Sequence, residues 1–133
     1  MLEWGKVDPL KLDPDFRKTL EAFLVASPYR WWVSYGYRTL QEQADLYAKY
    51  QAGGPRAAPA GRSAHNFGLA VDVVLDQSDQ KGLQAEWTVT MPGWMWLKAN
   101  SIPHPKLRTG WKYADYGHVE SVGWEKVAKA KGY

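Results

Sequence analysis

Apolar residues recur at helical spacing early in the chain. Phe16, Leu20, Phe23 and Leu24 follow Asp13-Pro14, an acidic cap with proline in the first turn. The pattern predicts a helix with that stripe on the core, ended by Pro28. Trp31 to Tyr35 then reads as a strand. Thr39 with Glu42 three residues on is a capping box, and the helix it opens carries Leu40, Ala44, Tyr47 and Tyr50 before Gly53-Gly-Pro55 stops it. Arg38 is left at a strand-to-helix corner, a suitable place for a substrate contact. Gly53 to Arg62, with two prolines and three glycines, reads as a mobile loop bordering a cleft. Ala70 to Leu75 is a short buried strand whose alternation puts Ala70, Asp72 and Val74 on one face. Asp76 to Glu86 is polar and reads as an exposed connection, and Pro92 opens a third helix with Trp94, Met95, Leu97 and Lys98. Ser101 to Arg108, with Pro103 and Pro105, reads as irregular, and Trp111-Lys-Tyr113 as the start of a strand that reaches Asp115. Tyr116 to Glu120 continues as strand, with His118 and Glu120 on one face. Trp124 to Lys131 is a short basic helix with a solvated face. These elements predict one α+β domain over residues 1–133, a small antiparallel sheet with helices packed around it.

A carboxylate in the middle of so apolar a strand is costly unless it is paired or bound to a metal, which singles out Asp72. His65 stands seven residues before it, and Gly68 between them lets the backbone turn so that the imidazole folds back. His118 stands three residues after Asp115. Two histidines and one acid, His65, Asp72 and His118, make the three-protein-ligand set of a catalytic zinc site, which keeps its fourth position for water. Asp115, the acid left over, is then suited to act as general base. The chain has no cysteine, so any zinc rests on imidazole and carboxylate groups. The third histidine, His104, lies between two prolines with no carboxylate nearby and reads as a surface-loop residue.

Ser63-x-His65-x-x-Gly68-x-Ala70-x-Asp72 resembles the signature of the LAS metallopeptidases, named for lysostaphin, D-Ala-D-Ala metallopeptidases and sonic hedgehog. Asp115-x-x-His118 resembles the acid-x-x-His element of that family. Gly36 to Tyr47 is similar to the stretch that supplies its arginine and glutamine. The three blocks occur in family order between residues 36 and 120, and the chain looks most like single-domain peptidoglycan peptidases of bacteriophage endolysins and their bacterial L-alanyl-D-glutamate counterparts. The resemblance implies one zinc ion held by His65, Asp72 and His118, with Asp115 as base. It also implies that Arg38 polarises the scissile carbonyl or holds a substrate carboxylate, and that Gln43 and Ser63 occupy substrate-side motif positions. Gly117, where relatives with an aspartate base often have proline, and Val119, where an aromatic is common, depart from the pattern. Both departures point to altered loop rigidity or substrate fit rather than lost chemistry. Trp111 and Tyr116, close to the second motif, are further candidates for the substrate groove.

The formal charge of +3 and pI near 9.1 suit an approach to an anionic envelope, and equally suit ordinary solubility. Basic and aromatic residues form no nucleic-acid recognition motif. No apolar run has transmembrane length, and Met1-Leu-Glu-Trp-Gly-Lys lacks the layout of a secretory signal. The expectation is a monomer without stable membrane insertion that accumulates in the cytoplasm of a host cell and reaches the wall through a holin. The activity implied is an L-Ala–D-Glu endopeptidase cut in the peptidoglycan stem peptide. The alternatives are a D-Ala-D-Ala carboxypeptidase and a non-catalytic zinc module that binds a wall fragment or a protein.

Overall fold

The computed structural model describes residues 1–76 and 91–133, so nearly all of the polar connection foreseen over 76–86 lies outside the described residues. Asp13 caps helix α1 (Pro14–Val25) by accepting from the Phe16 amide at 2.9 Å, and the helix buries Phe16, Leu20 and Leu24. Each such side chain removed from water contributes about 1.5–3 kcal/mol. The capping box at Thr39 and Glu42 is formed, and helix α2 follows over Leu40–Gln51. Helix α3 (Pro92–Ser101) buries Trp94 and Leu97, and α4 (Trp124–Ala130) closes the fold as the short helix foreseen.

Among the described residues, five strands form one sheet in the order β1-β2-β3-β5-β4: β1 (Leu2–Glu3), β2 (Trp31–Tyr35), β3 (Ala70–Leu75), β4 (Leu107–Gly110) and β5 (Asp115–Ser121). The pairings are antiparallel except that of the two-residue β1 with β2. Two expectations are corrected here. Leu107–Gly110 is a strand rather than irregular chain, because Leu107 is buried and the segment finds a partner in β5. Trp111–Tyr113 is a tight helical turn, not the start of β5. It is followed by Ala114 with φ 59°, which reverses the chain into Asp115. The core gathers α1, β2, β3, α3 and the inner face of β5, with Trp31 and Trp94 meeting edge to face at 5.4 Å.

Register places the site. Asp72 of β3 lies directly opposite His118 of β5, so the two side chains share a face. In β4 the neighbours Thr109 and Gly110 pair with Val119 and Asp115, so residues 116–118 of β5 bulge out of that ladder. Regular alternation would send residues 115 and 118 to opposite faces; the bulge lets both reach the same cleft. Gly117 sits on the bulge, and a Cβ built there would lie 2.4 Å from the Val73 carbonyl oxygen. This close approach explains the glycine. Gly117→Ala is expected to destabilise the fold by about 1–3 kcal/mol, read as a lower denaturant midpoint, and to weaken metal binding because β5 must shift.

Candidate active site

His65 arrives from a tight helical turn, Ala64–Phe67, that ends at Gly68 in the left-handed conformation (φ 68°). That turn folds the imidazole back over β3 as the sequence implied. The His65 Nδ1–H donates to the Gly36 carbonyl at 2.8 Å, leaving the Nε2 lone pair 3.3 Å from Asp72 Oδ1. On the other side, His118 Nε2 lies 2.7 Å from Glu120 Oε1, while its Nδ1 lies 3.2 Å from the same Asp72 oxygen. Two imidazole nitrogens and a carboxylate oxygen therefore converge with their remaining partners already taken. Neutral imidazoles in this arrangement would point lone pairs at an anion, so the group requires a proton or a metal cation between them.

The donor set fits zinc. Ligand atoms at about 2.0–2.2 Å from a tetrahedral zinc stand roughly 3.3 Å apart, close to the 3.2 and 3.3 Å separations here. The ligand atoms of His65, Asp72 and His118 all lie within 4.8 Å of one another. His104 is elsewhere: its Nδ1 accepts from the Lys106 and Leu107 amides and its ring packs edge-on against Phe23.

Burial acts against charge on His118, but hydrogen bonds to Asp72 and Glu120 outweigh it and hold the imidazole up at about 9. Burial would likewise raise Asp72, yet a hydrogen bond from His118 and the closeness of His65 hold it well below the usual carboxylate range. In metal-free protein, the His118 contribution to stability is complete below 6.5 and is lost as pH rises through about 9. The Asp72 contribution is present above 3.8 and is lost as pH falls. The two limbs describe one ion cluster and do not add. Thermal melts in chelator are expected to fall steadily from pH 6.5 through 9, a decline that zinc-loaded protein escapes because the metal replaces the proton.

Asp115 lies with Oδ2 4.0 Å from His118 Nδ1, its side chain 64% exposed. Burial of its inner side raises its pKa, against the pull of His118. Arg38, Gln43 and Ser63 line the same cleft, about 500 Å³ in volume, together with the three candidate ligands and Asp115. The Gly53–Arg62 loop borders it through Pro55 to Ala58, and Lys49 and Arg56 add two cations. Arg38 donates to Gln43 Oε1 at 3.0 Å, and Gln43, 1% exposed, donates to the Ala58 carbonyl at 2.7 Å. Gln43 is thus the buried residue of α2, where the apolar pattern drew attention to Leu40 and Tyr50 instead. Trp111 and Tyr116 stack edge to face at 4.5 Å and pack against the core; they are not among the residues lining this cleft.

The sequence leaves Asn66 unmarked and gives Glu120 a face but no role. Asn66, 7% exposed, donates to the Arg38 carbonyl and accepts from the Gly61 amide, tying the loop to the corner that carries Arg38. Its signal was position alone, next to His65. Glu120 was seen to share a face with His118, and that same-face placement was the clue to their contact.

A family model described as VanY, D-alanyl-D-alanine carboxypeptidase, matches residues 11–113, a span that holds Arg38, Gln43, Ser63, His65 and Asp72 and stops short of Asp115 and His118. Among solved structures, the chain is similar to the vancomycin-resistance D,D-dipeptidase VanXYg in complex with a D-Ala-D-Ala phosphinate analogue (18% identity, TM-score 0.56). That match covers 92% of this chain and 55% of the other, so the chain spans just over half of that protein. It is similar to the D,D-pentapeptidase VanY from a VanB-type cassette in complex with Zn(II), at 21% identity and TM-score 0.57, over 96% of this chain and 80% of that one. It is also similar to the Serratia marcescens L-Ala D-Glu endopeptidase ChiX, at 18% identity and TM-score 0.58, over 95% and 93% of the two chains. At these identities the structures share the fold. With the family match running over well over half its length, the chain belongs to the VanY, or D-alanyl-D-alanine carboxypeptidase, family of LAS-type zinc peptidases.

Proposed function

We propose that this protein is a zinc-dependent peptidase acting on peptidoglycan stem peptides, and specifically an L-Ala–D-Glu endopeptidase. The observation that carries the hydrolytic reading is the convergence of His65 Nε2, Asp72 Oδ1 and His118 Nδ1 beside Asp115 and Arg38 in one cleft. Zinc bound there would acidify a water molecule and polarise the scissile carbonyl. Asp115, near His118 and open to the cleft, takes the proton of the attacking water and returns it to the leaving amine. Arg38, oriented by Gln43, offers a permanent forked cation to the developing oxyanion or to a substrate carboxylate. His65, Asp72 and His118 would hold the metal in place.

The endopeptidase reading is supported by the likeness to ChiX, which covers 95% of this chain and 93% of that one. The carboxypeptidase reading is favoured by the family description and differs in the pocket walls rather than in the ligands. A setting in phage-induced lysis, with holin-dependent release from the cytoplasm, is the biological role attached to the first reading. No helix among the described residues is long and apolar enough to cross a membrane. The deciding experiment is mass spectrometry of purified peptidoglycan digested by zinc-loaded protein, beside a chelator-treated control. Zinc-dependent fragments with a new D-Glu amino terminus are expected. Loss of only a terminal D-Ala would transfer the assignment to a carboxypeptidase. No zinc-dependent product from several wall types would leave a binding module.

A further inference from the structure

We propose that Glu120 is a positioning residue for the metal centre, fixing where His118 carries its proton and which nitrogen it turns toward Asp72 and the metal. The inference rests on the zinc reading of the His65–Asp72–His118 group. Glu120 stands two residues after His118 on the same face of β5, directly opposite Arg108 of β4. Its Oε1 lies 2.7 Å from His118 Nε2, while Oε2 accepts from Arg108 Nε at 2.7 Å and from Trp124 Nε1 at 2.6 Å. Arg108 is paired in turn with Glu125 of α4. The Glu120 side chain is only 15% exposed, so its carboxylate is committed to these partners.

The indole and the guanidinium can only donate, and the ionised carboxylate can only accept. His118 therefore meets a pure acceptor at Nε2 and places a hydrogen there, which leaves the Nδ1 lone pair for the metal. The same reasoning explains why the residue is glutamate. A glutamine amide would turn its NH₂ either toward the imidazole N–H or toward Arg108 and Trp124, donor against donor. An outer partner of this kind is generally worth about 10–100-fold in metal affinity. Through Trp124 and Glu125 the arrangement also ties α4 to the centre.

The test measures zinc affinity by competition with a chromophoric chelator for wild type, Glu120→Ala, Glu120→Gln and Arg108→Ala. It adds thermal melts of each metal-free protein and the nitrogen-15 correlation of the His118 side chain in zinc-loaded samples. Both Glu120 variants are expected to bind zinc about 10–100-fold more weakly, with glutamine giving no rescue. The His118 Nε2 proton, protected in wild type, is expected to exchange rapidly in both. Affinities within about twofold of wild type, or a loss confined to thermal stability, would overturn the proposal. Where Glu120→Ala does not fold, Glu120→Gln decides: faster exchange of the Nε2 proton supports the proposal, and an unchanged signal overturns it. Wild-type protein that binds no zinc would overturn the zinc reading itself, an outcome distinct from tight binding by every variant.

Discussion

Asp115→Ala is expected to lower kcat/KM for stem-peptide hydrolysis by about 10²–10⁴-fold while zinc stays bound, since general acid–base catalysis contributes on that scale. The separation follows from position. Asp115 sits at the cleft edge, 4.0 Å from His118 Nδ1, and is outside the His65–Asp72–His118 group. Removing it leaves every ligand atom in place and opens no core cavity, because the side chain is mostly exposed. Its pKa is raised by burial of its inner side, which favours a base that holds the proton between attack and leaving-group departure. The check is a parallel measurement of turnover and zinc content. Retained turnover would take Asp115 out of the mechanism.

His118→Ala is expected to abolish both zinc binding and activity, a larger loss in affinity than the roughly 10–100-fold attached to an outer partner. His118 also bridges Asp72 and Glu120, so its removal leaves two carboxylates facing a gap with no cation between them. Metal-free His118→Ala should therefore melt below metal-free wild type at neutral pH, where the wild-type imidazole is charged. The difference should shrink above pH 9, where wild type has lost that charge too. Zinc content by elemental analysis and melts in chelator together distinguish this outcome from simple loss of a catalytic group.

The elements legible in the sequence were those written in local chemistry. Asp13-Pro14, the Thr39–Glu42 capping box and the apolar run of β3 each name their own conformation, and the helices and central strand stand where those signals put them. Asp72 stood out because a carboxylate in an apolar strand requires a partner, and motif spacing pointed to His65 and His118, which the structure brings beside it. What escaped depended on pairing across the chain. β4 carries no strong strand signal of its own and is a strand because β5 lies beside it. Gln43 and Asn66 do their work buried, where neither periodicity nor charge marks them. Trp111 drew attention as an aromatic near a motif, and the bulge of β5 turns its neighbour Tyr116 toward it rather than toward the lining of the cleft.

That bulge has an evolutionary corollary. Along a regular strand each position is bound to a ladder partner, and inserting or deleting one residue turns every later side chain over. Residues 116–118 answer to no partner in β4, so the stretch between Asp115 and His118 is free of that ladder's constraint. Gly117 is pinned by the Val73 carbonyl, and His118 by its pairing with Asp72. Variation at Tyr116 therefore falls on its packing against Trp111, while the candidate ligands Asp72 and His118, paired across β3 and β5, stay in register. A bulge of this kind lets the stretch beside the site vary without disturbing the pairing that holds the site together.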